Sequence, residues 1–143
     1  MNKLYFGDNL DILREHIADE SVDLIYLDPP FNSKRDYSVL FKTPKGHESD
    51  AQITAFEDSW HWGEPHDRSC SEREFSELER APNTDVAEMM LALRKFLKEN
   101  DMMAYLTMMA NRLLELHRVL KPTGSLYLHC DPTASHYLNV LAM

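Results

Sequence analysis

Apolar residues follow two rhythms along this chain, short unbroken runs and repeats every three or four positions, and the two alternate. Leu4-Tyr5-Phe6 is a short run closed by Gly7-Asp8-Asn9, a turn that can cap a helix from Leu10 to His16. That stretch reads as strand, turn, helix. Ser21-Val22-Asp23-Leu24-Ile25-Tyr26-Leu27 is rich in β-branched and aromatic residues, as expected of a parallel strand buried on both faces. It stops at Asp28-Pro29-Pro30. Two prolines cannot donate to a sheet ladder, and the first holds Asp28 extended, so Asp28 must project from the carboxyl edge of the strand. From Asn32 to about Arg80 the pattern is irregular and reads as a long inserted loop, with Pro44, Gly46, Gly63 and Pro65 as breakers and Trp60-His61-Trp62 standing out among polar residues.

Beyond the loop the helical rhythm is clear. Asn83 or Thr84 can cap a helix carrying Val86, Met89, Met90, Leu93, Phe96 and Leu97. Asn100 or Asp101 caps a longer one, striped by Met102, Leu106, Met109, Leu113, Leu116 and Leu120 and ended by Lys121-Pro122-Thr123-Gly124. Ser125-Leu126-Tyr127-Leu128-His129-Cys130 is then a third strand running into Asp131-Pro132, and Thr133 opens a final helix. Strands alternating with helices imply an α/β fold with about three parallel strands and flanking helices. Residues 1–143 read as one incomplete domain: so small a parallel sheet leaves both edges open, and the last helix stops without a cap, so more protein is expected to follow.

Composition narrows the class. With 43% apolar and 27% charged residues the chain is neither fibrous nor wholly disordered. No stretch approaches the roughly 18 apolar residues of a membrane span and the N-terminus lacks a signal peptide, so a cytoplasmic protein with no membrane partner is expected. Cys70 and Cys130 are too far apart in sequence for a zinc pattern or a disulfide framework, and no histidine shows metal-ligand spacing. The net charge of −9 is the wrong sign for a surface that attracts nucleic acid everywhere. The excess is local, however: residues 43–100 hold 13 acidic and 7 basic residues, while Lys34, Arg35, Lys42 and Lys45 cluster around the start of that segment. That cluster is either a phosphate-binding patch or a solvated loop.

The segment Val22-Asp23-Leu24-Ile25-Tyr26-Leu27-Asp28-Pro29-Pro30-Phe31-Asn32 places a carboxylate where α/β sheets bind ligands. A strand delivering Asp-Pro-Pro-aromatic to a sheet edge resembles the catalytic motif of the amino-methylating DNA methyltransferases, which modify adenine N6 or cytosine N4 with S-adenosylmethionine. Gly7-Asp8-Asn9-Leu10-Asp11-Ile12-Leu13, the segment from Asn111 to His129, and Cys130-Asp131-Pro132-Thr133-Ala134-Ser135-His136-Tyr137-Leu138 extend the resemblance to the family's β class over essentially the whole chain. It implies a partial Rossmann-like methyltransferase sheet, DNA as partner and S-adenosylmethionine as cofactor. Asp at the first motif position is typical of adenine N6 enzymes. The resemblance makes Asp28, Pro29, Pro30 and Phe31 the catalytic set: the Asp28 carboxylate and the Pro29 carbonyl would accept hydrogen bonds from the target amine, and Phe31 would stack on a flipped base. On its own, Asp-Pro-Pro-Phe also reads as a strand-ending turn with a capping Asp.

Asp8 resembles the family's contact to the cofactor's adenine edge, with a plain helix cap as the alternative. Asn32, Lys34, Arg35, His129 and Asp131 are candidate substrate contacts; for His129 and Asp131, lining the Asp28 crevice competes with a strand-ending Asp-Pro turn. Trp60 and Trp62 would stack on a displaced base or cover a helix face. The chain's four glycines, Gly7, Gly46, Gly63 and Gly124, form no Gly-x-Gly loop of the kind that cradles the cofactor. In the β class that loop follows the catalytic motifs, so the chain is expected to be a fragment, inactive alone and binding S-adenosylmethionine weakly or not at all. The alternatives are a non-catalytic remnant, a split-enzyme subunit completed by a second polypeptide, and a relative acting on RNA or protein glutamine, whose motif begins with Asn.

Overall fold

The stripe between Asn100 and Leu120 becomes the axis of the molecule. A computed structural model describes residues 2–30, 37–38, 54–56, 60–62 and 68–143. Its elements in order are α1 (Asn9–His16), β1 (Val22–Leu27), β2 (Tyr37–Ser38), β3 (Thr54–Phe56), α2 (Arg68–Glu79), α3 (Thr84–Leu97), α4 (Asp101–Val119), β4 (Leu120–Leu128) and α5 (Pro132–Leu141). In α4 every residue from Met103 to Asn111 is buried, so this helix is enclosed rather than amphipathic. α1, α2, α3, α5 and β4 all pack against it. Met90, Met103, Met108 and Met109 fill the core, a use suited to their unbranched and adaptable side chains. Two buried polar side chains of α4 bond to main-chain carbonyls: Thr107 Oγ1 donates to the Met103 carbonyl at 2.8 Å and Asn111 Nδ2 to the Glu74 carbonyl at 3.0 Å.

Caps set the helix starts. Asp8 accepts from the Leu10 amide, Asn83 from Asp85 and Val86, Asn100 from Met103, and Asp131 from Thr133, each meeting a backbone donor that has no partner inside its helix. Two arginines of α4 then fasten α1 along its length. Arg112 pairs with both Asp8 oxygens, at 2.9 and 2.8 Å, and reaches Asn9 Oδ1. Arg118 donates to the carbonyls of Leu13 and Ile17 and to the carboxylates of Asp19 and Glu115.

β1 and β4 form a parallel pair. Val22 faces Leu120 but Leu24 already faces Ser125, so Lys121-Pro122-Thr123-Gly124 is extruded as a bulge at the start of β4. Gly124 is required there, because a Cβ would lie 2.6 Å from Leu120 Cδ1 and 3.0 Å from the Lys121 carbonyl oxygen. From Leu24 to Leu27 the register is regular. One face of the pair meets the helices through Ile25, while Leu24, Tyr26 and Tyr127 on the other face are 60%, 70% and 59% exposed.

Three expectations are corrected. The parallel sheet among the described residues has two strands, not about three: Leu4-Tyr5-Phe6 pairs with no strand, Leu4 and Phe6 are fully exposed, and Tyr5 stacks on His16 at 5.2 Å. A run of three apolar residues becomes a strand only where a ladder partner satisfies its backbone. The span 32–80 is not all loop. It holds α2, anchored through the buried Ser71, Phe75 and Leu78, and β2 pairs antiparallel with β3. The third strand begins at Leu120, directly from the end of α4, rather than at Ser125. Trp60 and Trp62 cover helices: Trp60 lies edge-on to Tyr105 at 5.6 Å and Trp62 to Phe75 at 6.3 Å, with the Arg94 guanidinium 4.7 Å from the Trp62 ring. No described helix is long and apolar enough to cross a membrane.

Candidate active site at the carboxyl edge of the sheet

Parallel strands present their carboxyl ends side by side, and here both ends carry an Asp-Pro dipeptide. β1 runs into Asp28-Pro29-Pro30 and β4, after His129 and Cys130, into Asp131-Pro132. Pro29 and Pro30 have no amide hydrogen, so β1 cannot donate past Asp28. The neighbouring strand continues one step further, with the His129 amide donating to the Leu27 carbonyl at 2.9 Å. That bond puts His129 beside Asp28. The His129 ring Nδ1 lies 3.2 Å from Asp28 Oδ1, and both side chains remain more than half exposed.

Asp131 faces a different task. Its carboxylate accepts from the Thr133 amide at 2.7 Å as the N-cap of α5, and its carbonyl accepts from Ala134 and Ser135. Hydrogen bonds from the Thr133 side chain and backbone hold its carboxyl below the ordinary value of 3.8. Among the described helices, none is capped by Asp28.

Asp8, expected either as a cofactor contact or as a helix cap, is built as the cap: Oδ1 receives Leu10, and both oxygens receive Arg112, whose side chain is 13% exposed. Phe31, Asn32, Lys34 and Arg35 lie outside the described residues. Of the sequence-derived site residues, the structure thus brings Asp28 and His129 together, sets Asp131 at the adjacent strand end and ties Asp8 into the α1–α4 contact. Arg112 is the residue that sequence reasoning missed; its signal was an arginine amid the apolar repeat of α4.

The best-formed cavity, about 380 Å³, is elsewhere. Its lining is mainly apolar, from Val86, Met89, Leu113, Leu126 and Val140, and includes none of Asp8, Asp28, His129 and Asp131. Among the described residues no group of three His, Cys, Asp or Glu side chains could hold a metal ion.

A family model described as DNA methylase, for N6 and N4 methyltransferases, matches residues 22–143, from the first residue of β1 to the last residue of the chain. The chain belongs to this DNA methylase family. The matched span contains Asp28, His129 and Asp131 and leaves out α1 and Asp8. No curated protein and no solved structure gives a significant match. An extended Asp followed by two prolines presents two hydrogen-bond acceptors, a carboxylate and a carbonyl whose geometry the rings restrict.

Proposed function

We propose that this DNA methylase acts on adenine N6, with Asp28 as the catalytic carboxylate. The observation that carries the reading is that Asp28 stands at the carboxyl edge of β1 and caps none of the described helices, next to a strand whose own Asp caps α5. An exocyclic amine on a base is a weak nucleophile because its lone pair is delocalised into the ring. Accepting hydrogen bonds from both amine hydrogens, the Asp28 carboxylate and the Pro29 carbonyl favour a pyramidal nitrogen. They also stabilise the positive charge that grows on it as it gains a methyl group. Aspartate at this position, rather than serine or asparagine, supports adenine over cytosine N4 or an amide as acceptor. Phe31 follows directly and supplies a ring on which an extruded base stacks, with Asn32, Lys34 and Arg35 contacting base and phosphates.

S-adenosylmethionine is the methyl donor in this reading, its sulfonium supplying an electrophilic methyl group. The described residues do not form a cradle for it: the Asp8 oxygens are taken by Leu10 and Arg112, and the best-formed cavity has a mainly apolar lining that does not include Asp28. The residues described here therefore serve the acceptor side of the reaction. Single-turnover methylation of an adenine-containing duplex, with DNA and cofactor affinities measured separately, tests the proposal. Product must be N6-methyladenine, and Asp28→Ala must abolish its formation. Product on cytosine would overturn the choice of base, and an active Asp28→Ala would overturn the site.

A further inference from the structure

The pair at the sheet edge defines more than one acceptor. His129 Nδ1 approaches Asp28 Oδ1 to 3.2 Å, and the main-chain bond from His129 to the Leu27 carbonyl holds the two residues at neighbouring positions of the ladder. An unprotonated Nδ1 would set its lone pair against a carboxylate oxygen, which is repulsive at this distance. A hydrogen on Nδ1 would remove that repulsion and turn the contact into a bond. A neutral imidazole in water prefers the other tautomer, so a carboxylate at this position favours the Nδ1–H form.

We propose that His129 is a positioning residue for Asp28: its Nδ1–H holds Oδ1 and so leaves Oδ2 aimed at the acceptor amine. The inference rests on Asp28 being the catalytic carboxylate. Asp28 is exposed and caps no described helix, so without such a holder its carboxylate rotates about its own side-chain bonds and offers either oxygen in many directions. Fixing one oxygen reduces the ordering left to be done when the amine arrives, which appears in the rate of the chemical step rather than in binding.

Two readouts test this on the full chain. Long-range 1H–15N spectra at alkaline pH should show His129 as the Nδ1–H tautomer, reverting toward Nε2–H in Asp28→Ala. A ring mainly in the Nε2–H form, or one indifferent to Asp28→Ala, overturns the proposal whether or not the chain methylates DNA. In single-turnover methylation, His129→Ala should lower the rate about tenfold with DNA affinity unchanged, the scale of one charge-assisted hydrogen bond at a solvated site. His129→Asn, whose amide nitrogen falls at the place of Nδ1, should recover to within about threefold of the original rate. Equal losses in the two variants count against positioning. Full activity in Asp28→Ala would instead remove the assignment of Asp28 and leave the tautomer result standing.

Discussion

Two Asp-Pro dipeptides end two adjacent parallel strands, yet they do different work. Asp131 turns into the helix that follows it, receives the Thr133 amide and is held below its ordinary pKa by that bonding. Asp28 is followed by a second proline, and its carboxylate meets a histidine from the neighbouring strand. A dipeptide alone therefore does not say which carboxylate is structural. The residues just beyond it do: Thr133 offers an amide to cap, whereas Pro30 has none to offer.

The largest effect that separates the two comes from one substitution made at each site. Asp28→Asn should slow single-turnover methylation by about a hundredfold, or about 3 kcal/mol, because the amide loses the negative charge that stabilises the developing cation. Asp131→Asn, which still caps, should stay within about threefold. Equal losses would mean that the two carboxylates do the same work.

A smaller effect comes from moving the strand end without touching either carboxylate. Gly124→Ala forces a Cβ against Leu120 and the Lys121 carbonyl, and the overpacking should lower stability by about 1–3 kcal/mol in urea unfolding. An unchanged midpoint would mean that the bulge repacks without cost. The smallest effect is specific to Asp131. Because its pKa is lower folded than unfolded, its contribution is present above the ordinary value of 3.8 and fades as pH falls through the folded value. Asp131→Ala should thus melt below the parent protein at pH 7, with the gap closing toward pH 2. A gap of constant size would show that the cap does not depend on its charge.

Much of this was legible in the sequence, for physical reasons that differ by element. Asn83 and Asn100 announced their helices because a side-chain acceptor before an apolar repeat is a local device, complete within one turn. β1 was legible because an apolar run stopped by two prolines has few other readings. α2 was not, although Ser71, Phe75 and Leu78 stand at helical spacing, because two buried apolar side chains are a thin signal among so many charges. Leu4-Tyr5-Phe6 misled for the opposite reason: its composition suits a strand, but pairing is decided by distant residues. At the site, the motif picked out Asp28, while its contact with His129 depended on a register that only the folded pair of strands defines. The role of Asp8 turned on Arg112, more than a hundred positions away.

The clasp of Arg112 and Arg118 on α1 carries a consequence for the order of synthesis. A ribosome delivers α1 and β1 ahead of the groups that secure them, the two arginines and β4, which come about a hundred residues later. At an elongation rate of roughly 5–20 residues per second, the first two elements wait several seconds with nothing to dock on. Folding of this chain should therefore begin among its later helices, and its beginning is the last part to find a place.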